Sequence, residues 1–75
     1  MDKEIEKNFT YHAPTEEKAK LYPKIRQKAR ELAVLIKNTV PKSREQSLAF
    51  TKLEECVMWA NAGISRNNLN DKENN

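Results

Sequence analysis

The heptapeptide VPKSREQ, residues 40–46, constrains this chain more than any other stretch. Pro41 has no N–H to donate, and it biases Val40 away from helical backbone, so a helix arriving from upstream ends there. Ser43, followed three residues later by Gln46, fits a capping box, which starts a new helix. With only residues 41–43 between the two helices, they pack as antiparallel neighbours. Upstream, Ile25, Ala29, Leu32, Ala33, Ile36 and Val40 recur at helical spacing on one stripe. Downstream, Ala49, Leu53, Cys56, Val57, Ala60 and Ile64 do the same. These features predict an all-α chain built on an antiparallel two-helix hairpin.

The residues before the hairpin are less regular. DKEIEKNF, residues 2–9, supports one or two helical turns, with Ile5 and Phe9 four apart on one face. Such a segment is too short to be stable unless it docks, so Phe9 is expected to pin it to the hairpin. Residues 10–14, TYHAP, then break the pattern: Thr10, Tyr11 and His12 are mediocre helix formers, and Pro14 favours an extended Ala13. Thr15 is a plausible N-cap, with Glu16 and Glu17 in the following turn. Pro23 leaves two alternatives open. Either the first long helix begins near Pro23, or residues 15–22 form a separate turn that meets it at a kink. The domain is expected to span residues 1–67, with a flexible polar tail at 68–75.

A hairpin is not a core. At 75 residues the chain allows one domain, and small domains of this size need a staple. Cys56 is the only cysteine and His12 the only histidine, so neither a disulfide nor a four-ligand zinc site is expected. Leu48, Met58 and Trp59 project away from the downstream stripe, and Val34 from the upstream one. Large apolar groups are poorly placed in water, so self-association through these faces is expected. No apolar run approaches the ~20 residues of a membrane span. MDKEIEKNF has no apolar stretch of the signal-peptide kind, and the lone thiol suits a reducing cytoplasm.

Catalytic constellations are missing. Cys56 lies on the expected buried stripe, where cysteine acts as a small hydrophobe, which argues against a dyad with His12. Glu54 and Glu55 point about 100° apart on a helix and make no acid–base pair. Gly63 is the sole glycine, so there is no phosphate-cradling loop. No enzymatic activity, cofactor or metal is expected.

Binding remains. Nine Lys and Arg residues run from Lys18 to Arg44, with Glu31 the only acid among them. Arg26, Arg30 and Lys37 share one flank of the upstream stripe, and Lys24 and Lys28 the other. Such a run is often no more than a solvated face, but it also attracts phosphates. NFTYHAP, residues 8–14, stands directly ahead of it. Tyr11 either pins the segment to the hairpin, as Phe9 is expected to, or offers a π-face, with His12 a polar contact and Arg26 or Lys28 a nearby cation. An aromatic that stacks a base beside a cation that holds a phosphate is the minimum for nucleotide recognition.

NFTYHAP, the IRQKARELA helix and SREQSLAFTKLEECVMWANAGISRN together resemble the anti-CBASS cyclic-oligonucleotide sponges of phages, the family called anti-CBASS protein two. The resemblance covers residues 8–67. It implies a helical homohexamer that binds cyclic oligonucleotide second messengers without cleaving them, in the cytoplasm of an infected bacterium, and so silences CBASS signalling. It implies that cyclic dinucleotides such as cyclic GMP-AMP sit between protomers, held by Tyr11 with Arg26, with His12 and Lys28 as further candidates. Cyclic trinucleotides would take a separate site, for which Asn61, Gly63 and Arg66 are the candidates. Two other readings rest on the residues alone. One is a helical adaptor or inhibitor that binds a host protein through Trp59, Met58 and Val34. The other is non-specific binding of single strands by the basic helix, which should weaken steeply with salt. A closed pocket for a small cyclic ligand would take no long nucleic acid and no membrane.

Overall fold

The computed structural model describes residues 2–70, and its regular elements are all helical. They are α1 (Lys3–Phe9), α2 (Glu16–Ala19), α3 (Leu21–Thr39) and α4 (Arg44–Arg66). The α3–α4 hairpin is the dominant contact, and α2 packs next to the start of α3. Each helix start is made by a short polar side chain where one is present. Asp2 Oδ1 accepts from the Glu4 amide at 2.8 Å, and Thr15 Oγ1 from the Lys18 amide at 3.1 Å. Ser43 Oγ accepts from the Gln46 amide at 3.1 Å. These bonds satisfy amides that no helical carbonyl reaches.

The capping box at Ser43 is only half made. Gln46 does not return to the Ser43 amide; its Nε2 donates to the Val40 carbonyl at 2.9 Å. That carbonyl belongs to the last turn of the chain before Pro41, so Gln46 ties the two sides of the connection together. Pro23 also finds its explanation. It occupies the third position of α3, whose N-cap is Lys20, where the amide has no helical partner in any case. The carbonyl four residues earlier is that of Ala19, the last residue of α2, and a proline cannot donate to it. The chain therefore breaks at Lys20. The two alternatives are each met in part: Glu16–Ala19 forms a separate turn, and α3 begins at Leu21, two residues before the proline.

The hairpin seam is made by Ile25, Ala29, Ala33 and Ile36 against Ala49, Phe50, Leu53, Val57, Ala60 and Ile64, all half-buried. Three expectations need correction. Cys56 is exposed, because one residue before Val57 on a helix is a 100° turn toward the edge of the seam. Leu32 is likewise more exposed than its stripe neighbours. Phe9 is 84% exposed, so it does not pin the N-terminal segment. That segment is held by polar contacts. The Lys7 Nζ donates to Asn67 Oδ1 at 3.1 Å, and the Lys7 carbonyl accepts from His12 Nε2 at 2.6 Å. Beyond α4, Leu69 is half-buried and the Asn70 amide donates to Asn68 Oδ1 at 2.9 Å. The remainder of the expected tail, 71–75, lies outside the described residues.

Among the described residues none is buried. The radius of gyration is 15.4 Å, against about 11 Å for a compact chain of this length. One layer of two helices has no interior, and the faces expected to lie outside the hairpin, those of Val34, Leu48, Met58 and Trp59, do lie outside it.

Candidate functional site

Tyr11 is 83% exposed. It lies on the extended strip between α1 and α2, where the following Pro14 keeps the backbone from continuing as helix. Its ring is open to solvent, and no side-chain hydrogen bond engages its hydroxyl among the described residues. His12 differs. It is half-buried, and since a carbonyl only accepts, its Nε2–H is spent on the Lys7 carbonyl. His12 thereby shapes the strip that presents Tyr11.

Arg26 and Lys28 are two residues apart on α3, hence about 200° apart around its axis. The structure places them on opposite sides of the seam. Arg26 and Arg30 line an open groove of about 440 Å³ whose floor is Ala29, Ala33, Phe50, Leu53 and Val57, with Glu54 on its far edge. Lys28 lines a second, largely apolar groove with Lys24, Leu32 and Cys56. Lys28 Nζ also sits 3.6 Å from Glu31 Oε1. Arg26 has no ion-pair partner among the described residues. Two guanidinium groups a helical turn apart, neither in an ion pair among the described residues, can each present a two-pronged fork to an anion.

The other end of the molecule gathers residues that the sequence assigned to different ligands. His12, Thr15, Lys18, Ser65, Arg66 and Asn67 share one open polar cavity. Lys18 Nζ donates to the Ser65 carbonyl at 3.3 Å and Asn67 Nδ2 to the Gly63 carbonyl at 2.8 Å. Both satisfy carbonyls of the last turn of α4, where a cation also suits the helix dipole. Asn61, Gly63 and Arg66 do not share a face: Asn61 lies about 200° from Gly63 and 140° from Arg66 around α4. Asn61 Oδ1 is shielded from solvent and has no hydrogen-bond partner among the described residues. Gly63 has open space where a side chain would stand.

Two contributors escaped the sequence reading. Phe50 forms part of the Arg26 groove floor, and its spacing of three and seven from Leu53 and Val57 was the available signal. Lys18 was visible only as one cation among many, and its contact with Ser65, 47 residues away, is tertiary. Among the described residues no group of three or more His, Cys, Asp or Glu could hold a metal ion, and no helix is long and apolar enough to cross a membrane.

The family model described as "Acb2/Tad1, hairpin domain" matches residues 1–65. The chain belongs to this family. It is the anti-CBASS protein 2 family that the NFTYHAP strip and the SREQSLAF helix suggested, and the matched hairpin is the α3–α4 pair with the segment before it. Membership in the Acb2/Tad1 family implies a sponge-like role against CBASS or Thoeris signalling. No curated protein and no solved structure matches the chain.

Proposed function

We propose that this Acb2/Tad1 hairpin protein, of phage origin, sequesters cyclic dinucleotides such as cyclic GMP-AMP between copies of itself, in the cytoplasm of an infected bacterium, without cleaving them. The observation that carries this is Tyr11, a solvent-open aromatic on a short strip, in a chain whose α3 holds Arg26 and Arg30, neither in an ion pair among the described residues, along a groove with a mostly apolar floor. Tyr11 stacks a base, and Arg26 holds a phosphate. A cyclic dinucleotide has two bases and two phosphates in pseudo-two-fold arrangement, which suits two copies of each residue across a two-fold axis. The absence of buried residues among those described supports an assembly of several copies, and we propose the homohexamer. His12 shapes the strip, and Lys28 is secondary because it lines the groove on the other side of α3 from Arg26.

A second reading is favoured by Asn61. Its orphaned Oδ1 is a costly feature, about 1–3 kcal/mol if it stays unmatched. A donor from another copy or from a cyclic trinucleotide would satisfy it. Because Asn61, Gly63 and Arg66 diverge around α4, a trinucleotide site would draw them from different protomers.

Isothermal titration calorimetry with cyclic GMP-AMP, cyclic di-adenylate and cyclic tri-adenylate tests both readings. Saturable binding, with intact ligand recovered after denaturation, is the expected result, and the stoichiometry separates the two site types. No heat from any of the three would bring forward the alternative, an adaptor that binds a host protein through the outer face of α4. Linear strands should give no heat.

A further inference from the structure

The outer face of α4 carries large apolar groups that the hairpin leaves open. Leu48 is 43% exposed and Trp59 67%. On the same arc of the helix stand Lys52 and Glu55, both exposed, with Lys52 Nζ 3.6 Å from Glu55 Oε2. At 100° per residue these four fall within about 60° of one another and roughly opposite the seam. Positions 48, 52, 55 and 59 are spaced four, three, four. That is the alternation of a coiled-coil seam, and it reads the same in both directions.

The symmetry has a consequence for packing. If two copies of α4 run antiparallel along this stripe, about an axis level with the midpoint of Leu53 and Glu54, Leu48 meets Trp59 and Lys52 meets Glu55. Each pairing occurs twice, as an isologous contact requires. A parallel pairing would set lysine on lysine and glutamate on glutamate, which is unfavourable. We infer that this face is a two-fold interface between two copies of the chain, packed antiparallel, in which Lys52 of each copy pairs with Glu55 of the other and Trp59 covers Leu48. The pair that each copy makes within its own helix is exposed and contributes little. Across the interface the same groups are shielded by the flanking Trp59 and Leu48 and set the direction of packing. The interface rests on the self-association proposed above and is independent of the ligand.

Lys52→Glu and Glu55→Lys test it, each purified separately and then mixed. Either variant alone places like charges against each other twice, and its association should weaken by roughly tenfold or more. In the mixture the introduced glutamate faces the introduced lysine, and Lys52 faces Glu55. Sedimentation equilibrium should then recover near wild-type association, although the pair within each helix stays broken in both chains. If helix content falls with dissociation, mixing should restore it too. Single variants that associate like the wild type overturn the interface, and so does a mixture no stronger than either variant alone. Titration of the wild type with the cyclic nucleotides separates the two failures. Ligand binding by an assembly indifferent to these substitutions sinks the interface alone, whereas absent ligand binding with a rescued mixture sinks only the sponge reading.

Discussion

In the proposed site Tyr11 stacks a base and Arg26 holds a phosphate, so their substitutions should differ in kind. Stacking is worth about 1–3 kcal/mol per base, and a two-fold ligand loses two stacks when Tyr11→Ala is made. The titration heat for a cyclic dinucleotide should vanish while the assembly stays intact by light scattering. Tyr11→Phe keeps the π-face and should retain most of the affinity, because the exposed hydroxyl makes no hydrogen bond among the described residues. Arg26→Ala should also abolish binding, whereas Arg26→Lys, which keeps the charge and loses the fork, should fall between. Lys28→Ala should matter little, since Lys28 lies on the other side of α3 and is paired with Glu31. A Lys28→Ala protein that loses binding as fully as Arg26→Ala would reverse the assignment. The sequence named all three residues. It left the choice between Arg26 and Lys28 open because both are cations on one helix, and only their opposite grooves separate them.

At the scale of the elements, the helix boundaries rest on single residues. Ser43 caps α4, and Ser43→Ala should cost about 1 kcal/mol, read as a lower denaturant midpoint at unchanged slope. Pro23 occupies a position of α3 where a missing amide is harmless. Pro23→Ala should therefore not stabilise by the ~3 kcal/mol that relieves an interior proline. Its expected effect is to join α2 and α3 into one helix, seen as a small rise in helix content. Since α2 leads directly from the Tyr11 strip, that change should also shift the strip and weaken ligand binding. An unchanged affinity would show that the break at Lys20 does not position Tyr11.

For the whole molecule the deciding fact is that no described residue is buried. An isolated protomer lacks the apolar burial that offsets the entropy of ordering its backbone, roughly 1–2 kcal/mol per residue. Folding and association should therefore be one process. The thermal midpoint should fall on dilution and rise with protein concentration, as mass action requires. A cyclic dinucleotide at 100 times its dissociation constant should add about 2.7 kcal/mol per site. A midpoint that does not move over a hundredfold range of concentration would mean that the protomer is stable alone.

The sequence alone determined the hairpin, because Pro41, Ser43 and Gln46 act through local backbone sterics and hydrogen bonds. It determined the exposed faces of α3 and α4 through helical periodicity, which needs no tertiary information. It also carried the family, through strings of side chains long enough to be specific. Other features were decided only in three dimensions. Phe9 looked like an anchor on spacing alone, yet polar contacts of Lys7, His12 and Asn67 hold the segment and leave its ring in water. Cys56 shared the arithmetic of the seam but falls at its edge, because an apolar arc does not reveal where the partner helix will lie. The meeting of His12 with Arg66, over fifty residues apart, follows from the return of the N-terminal strip to the end of α4. Local pattern fixes an element's direction and faces. Which faces meet depends on how separate elements share surface, and that energy is defined only once the chain has folded back on itself.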